Sequence, residues 1–311
     1  MRLYIGGRAQ GKLALAKERH PDGVIWDAFH LFVKDELAKG TTPEAIWNMV
    51  LKRLEETPDL IIISDEIGNG IVPMDKDERR YREETGRLLC KIAQRADCVE
   101  RVVCGIPVRI KMNIRLYLIR HGKTPGNEEK RYVGRTDESL SEKGREELSQ
   151  RNFPKVDLLF SSPMKRCIES GEVLFPGKAT TLIEGFREID FGTFEGKNYQ
   201  ELSGDPDYQA WIDSGGTIPF PNGEDRTEFI QRNKSAFLGM LAQAMAYYEE
   251  HPDKEGKVAA VVHGGTIMSI LSGFYGGDYF DYQIANGEAY LVTVEVKDGA
   301  VRILSAEKEK A

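Results

Sequence analysis

"LYLIRHGKTPGN", residues 116–127, sets an Arg-His-Gly tripeptide directly after an apolar run. A short apolar run bounded by turn residues reads as a buried strand, and open α/β sheets bind their ligands just beyond the carboxyl ends of such strands. Arg120, His121 and Gly122 therefore stand where a ligand would be met. Imidazole is largely unprotonated at neutral pH and can attack phosphorus. Taken alone, the tripeptide reads equally well as a strand-end histidine hydrogen-bonded in a turn, because short motifs match by chance.

Three further pieces repeat the strand-loop-helix arrangement. "LLFSSPMKRCIES" (158–170) is a strand, a Ser-Ser-Pro helix start and Arg166 on the first turns of the helix. Proline near the first helical position and serine at the cap specify such a start. Arg166 can fork two hydrogen bonds onto a phosphate, or it is a solvated surface arginine. "VAAVVHGGTIMSIL" (258–271) ends a buried strand at His263 and opens a helix behind two glycines. Backbone amides there suit an anion and Gly264 permits close approach, although a lone histidine in this place is ordinarily a satisfied core residue. "EGFREIDFGTFEGKNY" (184–199) sets Glu188 before an aromatic, glycine-punctuated loop. A carboxyl beside apolar rings and a phosphate has its pKa raised, which suits proton donation to a leaving oxygen. Glu195 reads as a loop or helix-start carboxylate.

The chain has 311 residues, enough for two domains with separate cores. Its formal charge of −7 is interspersed rather than blocked, which argues against a nucleic-acid or anionic-membrane surface. The longest apolar runs are far short of a membrane span, and the chain enters a strand at once, unlike a signal peptide, so a cytoplasmic protein is expected. Four cysteines without a C-x-x-C pair read as reduced and buried. Strand-length apolar runs alternate with amphipathic helical stretches, the pattern of an α/β fold with a mostly parallel sheet. Strands are predicted over 3–5, 24–26, 60–63 and 99–103, then over 114–119, 158–160, 258–262 and 290–296. In the second series helices are predicted over 141–150, 163–174, 224–250 and 266–273. The boundary falls near Met112, giving domains 1–112 and 113–311.

The four pieces, in this order, resemble the histidine phosphatase superfamily, the phosphoglycerate mutase-like fold, over residues 113–311. The resemblance implies a three-layer α/β/α domain that hydrolyses a small phosphomonoester through phosphohistidine without a metal. In it His121 is the nucleophile, Arg120, Arg166 and His263 stabilise the phosphoryl oxygens, and Glu188 is the acid. Gly122, Thr124, Asn127 and Gly264 are the expected substrate-binding residues. The family's Pro-x-Gly-Glu-Ser segment appears as "PNGED" (221–225), with Asp225 in place of serine. The Glu-Arg-His-Tyr-Gly signature of the mutases is absent, and "DFGTFEG" (190–196) looks most like the α-ribazole-5′-phosphate phosphatases of cobalamin nucleotide-loop assembly. The alternative is a broad-specificity sugar or nucleotide phosphatase. Homo-oligomerisation is left open.

"YIGGRAQGKLAL" (4–15) has P-loop spacing, Gly6, four residues, Gly11 and Lys12, following a strand and opening a helix. Leu13 stands where the Mg²⁺-binding hydroxyl belongs. With "ISDEIGNGIVPMDKDERRYREETGRL" (63–88) and "RADCVERVVCGIP" (95–107), the first half resembles the adenosylcobinamide kinase/adenosylcobinamide-phosphate guanylyltransferase family. The family segment with the histidine that carries GMP is missing before "GVIWDAFHLF" (23–32), and His30 does not match it. A truncated, catalytically inactive P-loop-type α/β domain is expected, either keeping a residual nucleotide at Gly6, Gly11 and Lys12 or holding no ligand. A bifunctional protein that retains nucleotide binding or kinase activity is the alternative.

Overall fold

The first apolar run forms β1 (Arg2–Gly6), and the glycine-rich loop after it leads into α1 (Lys12–Arg19). The chain continues through β2 (Ile25–Trp26), α2 (Phe29–Ala38), α3 (Pro43–Glu56), β3 (Ile61–Asp65), α4 (Lys76–Arg95), β4 (Cys98–Val103) and β5 (Ile106–Arg120). In this computed structural model, which describes residues 1–254, 256–297 and 300–309, the chain divides into two units, Met1–Asn113 and Ile114–Ala311.

In the first unit β2, β3, β1 and β4 lie side by side and parallel. Helix starts carry the expected chemistry: Thr42 caps α3 ahead of Pro43, and the Asp75 carboxylate accepts the Asp77 and Glu78 N–H groups at 2.9 and 2.8 Å. Leu3, Ile62, Val33, Ile46, Val50, Leu88 and Ile92 pack together as the core. Each such side chain contributes about 1.5–3 kcal/mol by burial. In this unit one stretch of strand was not foreseen, residues 106–113 at the start of β5. Cys104 (φ +51°) and Gly105 (φ +80°) both adopt left-handed backbone and turn the chain back, so the first part of β5 pairs antiparallel with β4. That turn also exposes Cys104, and Cys90 is exposed on α4. Only Cys98 and Cys167 are buried, which corrects the expectation for all four.

The second unit contains α5 (Pro125–Glu128), α6 (Glu142–Ser149), β6 (Leu158–Ser161), α7 (Lys165–Leu174), β7 (Thr180–Leu182), α8 (Pro206–Asp213), α9 (Arg226–Glu250), β8 (Lys257–Val262), α10 (Gly264–Phe274), β9 (Ala289–Lys297) and β10 (Ala300–Glu309). Its parallel strands run in the order β5, β8, β6, β7, with β9 on the other side of β5 and β10 antiparallel to β9. Tyr117, Ile119, Ala259 and Val261 face one side with Cys167 of α7, while Leu116, Leu118, Val258 and Ala260 are buried on the other. Apolar residues on both faces mean a covered layer on each, as a parallel sheet requires. Asp225, the residue that departs from the expected serine, caps α9 by accepting the Thr227 N–H at 2.7 Å. The predicted start of α7 at Pro163 is corrected: the helix begins at Lys165, with Met164 at its cap and no side-chain cap bond.

Candidate active site

Three parallel strands end together in the second unit. β5 ends on Arg120 and delivers His121, β6 is followed by Ser162 and by Arg166 on α7, and β8 delivers His263 as the cap of α10. Arg166 and His263 are 0% exposed and His121 4%. The two imidazole rings meet nearly edge to face with centroids 5.2 Å apart.

His121 Nδ1 lies 2.7 Å from the Gly122 carbonyl. A carbonyl only accepts, so Nδ1 carries the proton and Nε2 keeps its lone pair. Burial, and then the charges of Arg166 and Arg120, hold the His121 pKa well below the ordinary histidine value, which keeps the ring neutral. The two guanidiniums are fastened by their outer nitrogens. Arg166 donates to the carbonyls of Thr136 and Gly134, both at 2.8 Å, and Arg120 to that of Ile284 at 2.6 Å. The Nε–H of each is buried without a partner among the described residues. An unmade bond on a buried donor costs about 1–3 kcal/mol. Two such donors beside two neutral imidazoles mark the position of an anion's oxygens.

Glu188 follows a turn held by Arg232, which donates to the carbonyls of Gly185 and Arg187 at 2.9 Å. Its Oε1 accepts the Ile189 N–H at 3.0 Å and its Oε2 lies 4.0 Å from His263 Nδ1. Burial raises its pKa above the ordinary carboxylate value, so the group tends to stay protonated. A Cβ at Gly265 would lie 2.7 Å from Glu188 Oε1, so the glycine lets this carboxyl approach.

The predicted substrate contacts divide. Gly264 lines the same cavity as Arg120 and Glu188. Gly122 is bonded inside the loop, its N–H donating to Ser170 Oγ at 3.0 Å and its carbonyl engaged by His121. Thr124 and Asn127 form a reciprocal capping box, and Asn127 Oδ1 also accepts from Asn286 at 3.3 Å. These three residues also shape the loop through bonds of their own. Glu195 does more than the sequence indicated. Its Oε1 accepts the N–H groups of Gly134 and Thr136 at 2.8 and 2.9 Å, and the carbonyls of those same residues hold Arg166. No local spacing signals this, because the partners are some sixty residues apart.

Beside Arg120 and Glu188 opens a cavity of about 590 Å³. Phe191, Trp211, Phe220, Tyr279 and Phe280 wall it, and Arg226 lies over the Tyr279 and Phe280 rings at 5.5 and 5.7 Å. Tertiary packing collects these aromatics from well-separated segments.

In the first unit, Gly6 passes so close to β4 that a Cβ would meet the Val102 carbonyl, and Gly11 (φ +84°) caps α1. Lys12 is 6% exposed and donates to Asp65 Oδ1 at 2.7 Å, to the Gly7 carbonyl at 2.7 Å and to the Gly6 carbonyl at 3.3 Å. His30 also approaches Asp65, accepting its N–H at 3.1 Å beside a cavity of about 730 Å³. Sequence reasoning did not single out Asp65. Among the described residues no group of three or more His, Cys, Asp or Glu side chains is placed to hold a metal ion, and no helix is long and apolar enough to cross a membrane.

Comparison with known proteins agrees with this geometry. The family model of the histidine phosphatase superfamily (branch 1) matches residues 116–308, and the chain belongs to that superfamily and is a phosphatase. Residues 8–110 match the model of cobinamide kinase / cobinamide phosphate guanyltransferase, so a domain of that kind precedes it. Among relatives, a Hydrogenobacter thermophilus protein provisionally named phosphoserine phosphatase 2 is 32% identical over 165 residues, covering 50% of this chain and 76% of that one. The crystal structure of phosphoserine phosphatase from Entamoeba histolytica is 26% identical with a TM-score of 0.51, covering 63% of this chain and 98% of that one. The α-ribazole phosphatase of Shigella flexneri shares the fold at 20% identity and a TM-score of 0.51, covering 64% of this chain and 98% of that one.

Proposed function

We propose that the second unit is a phosphomonoesterase for α-ribazole 5′-phosphate, working through phosphohistidine, and that the first unit is inactive in kinase and guanylyl transfer. His121 Nε2 attacks phosphorus in line as the bond to the leaving oxygen breaks, and Glu188 gives that oxygen its proton. The Nε–H groups of Arg120 and Arg166, with His263, take the charge on the phosphoryl oxygens. Water then attacks phosphorus, Glu188 accepts its proton, and the P–N bond breaks to return His121. Fixed cations and N–H donors supply the charge stabilisation in this scheme, with no metal in the sequence of steps.

The observation that carries the substrate reading is the aromatic cavity beside Arg120 and Glu188. With those two groups assigned to the phosphoryl transfer, the remaining charged side chain in its lining is Arg226. A flat heteroaromatic base fits between such rings, whereas a serine leaving group brings an ammonium and a carboxylate that both need partners. The preceding cobinamide kinase-like domain supports the same pathway by association. The walls accept other flat bases too, so hydrolysis of a range of nucleotide monophosphates is the second reading.

For the first unit, the support is Leu13 in place of a hydroxyl and a Lys12 ammonium whose hydrogens are already engaged. Heat on titration with GTP together with turnover of adenosylcobinamide would sink that half. The deciding experiment for the second unit is phosphate release in EDTA from α-ribazole 5′-phosphate, phosphoserine and a panel of sugar and nucleotide monophosphates. Preference for α-ribazole 5′-phosphate supports the reading; preference for phosphoserine overturns it.

A further inference from the structure

His263 is fully buried, and burial followed by the positive charge of Arg166 keeps its pKa well below the ordinary value, so its ring is neutral. A neutral imidazole has one N–H and one bare nitrogen. Which nitrogen faces the phosphoryl group then decides whether the ring donates to it or repels it. Nδ1 is the nitrogen directed toward Glu188, 4.0 Å from its Oε2. Nε2 lies 2.8 Å from the hydroxyl of Ser162, which is itself fully buried.

The proton on that hydroxyl can be followed. Ser162 Oγ accepts the Met164 N–H at 3.4 Å through a lone pair, so this contact leaves its hydrogen unused. The nearby Cys167 sulfur is a poor acceptor, and burial pushes its thiol to about 12, so it remains an S–H group; at 3.6 Å from Nε2 and 3.8 Å from Nδ1 it does not distinguish the two nitrogens. Among the described contacts, His263 Nε2 is the strong acceptor within reach of the Ser162 hydrogen.

We propose that Ser162 is a positioning residue for phosphoryl transfer: its hydroxyl donates to His263 Nε2 and thereby fixes the tautomer in which Nδ1–H points at the phosphoryl oxygens. This rests on the phosphatase reading above for the use to which Nδ1–H is put. The neutral ring then serves as a donor without having to bind a proton inside a cluster that already holds two guanidiniums. It also accounts for the helix start at Lys165. The serine that the sequence offers as a cap is turned to the histidine, and α7 begins without a side-chain cap.

The test is ¹⁵N–¹H correlation spectroscopy of the histidine rings in the full chain without substrate, on wild type, Ser162→Ala and Ser162→Thr, beside kcat and KM for phosphate release. His263 in the wild type is expected to show a pyrrole-type Nδ1 and a pyridine-type Nε2. Ser162→Ala is expected to give mixed or reversed tautomers and about a 10- to 100-fold loss in kcat with KM changed little, and Ser162→Thr to restore both. A wild-type Nε2 that carries the proton overturns the proposal, whether or not the variants fold. So does a folded Ser162→Ala protein that keeps the wild-type tautomer. The spectrum is read without turnover, so a wild type that hydrolyses no ester would overturn the phosphatase reading separately.

Discussion

The loop after β1 and the loop after β5 begin alike. In each a parallel strand ends, glycine lets the backbone turn closely, and a basic side chain stands beside it, Lys12 buried at the first and Arg120 half-buried at the second. They differ in what the basic group already holds. Lys12 meets Asp65 and two carbonyls of its own loop, a partner for each ammonium hydrogen. Arg120 and Arg166 are anchored through their outer nitrogens and keep a buried Nε–H apiece without a partner among the described residues. Positive charge at a strand end is thus common to both loops, and unfinished hydrogen bonding separates them. Unfinished bonds are what a substrate's oxygens can complete.

The comparison can be broken most decisively at the nucleophile. His121→Ala is expected to lower kcat by about 10⁴-fold or more, while Lys12→Ala leaves it within about twofold; a dead Lys12 variant that stays folded would tie the two loops together. Next, Glu188→Gln should cost about 10²- to 10⁴-fold. The pH profile of kcat/KM sharpens this. His121, with its pKa depressed, stays a base to well below pH 6.5, and Glu188, with its pKa raised, stays an acid above the ordinary carboxylate range near 4.5. The alkaline limb, set by Glu188, should therefore lie above the ordinary carboxylate range, and Glu188→Gln should remove it.

Stability adds an independent sign. Folded Glu188 holds a proton that the unfolded chain releases near pH 4.5, so its contribution to stability is present below that pH and is lost as pH rises through the folded pKa. Urea unfolding of wild type and Glu188→Gln across that window checks it. A smaller effect belongs to Glu195→Gln, which weakens the hold on Gly134 and Thr136 and so loosens Arg166; about a tenfold loss in kcat is expected. The smallest is Lys12→Met, with hydrolysis unchanged and the first unit destabilised by about 1–3 kcal/mol as Asp65 loses its lysine partner and keeps only the His30 contact, read from denaturant melts.

The sequence made the strand ends legible because their signals are local. Apolar runs, glycines and the Arg-His-Gly tripeptide each sit within a few residues, and the helix expected to open behind the first glycine-rich loop is observed as α1. The site's supports were hidden for the opposite reason. Glu195 acts on a loop some sixty residues away, and Ser162 reaches a histidine about a hundred residues on. The aromatic cavity assembles from segments between Phe191 and Phe280. One miss was avoidable: the Cys104-Gly105 pair marks a tight hairpin, and reading it would have supplied the antiparallel start of β5. The short β7 carries too few residues for a period to show.

The burial of Arg166 also bears on product inhibition and storage. Inorganic phosphate offers the same oxygens as the ester, so the product competes for the donors that the reaction uses. Ligand bound only to the folded state stabilises it by RT ln(1 + [L]/Kd), about 2.7 kcal/mol at a hundredfold excess over Kd. A protein whose arginine lies at 0% exposure with an N–H still to satisfy should melt measurably higher in phosphate than in a buffer without oxyanions. Its thermal midpoint then becomes a gauge of how strongly its own product holds it back.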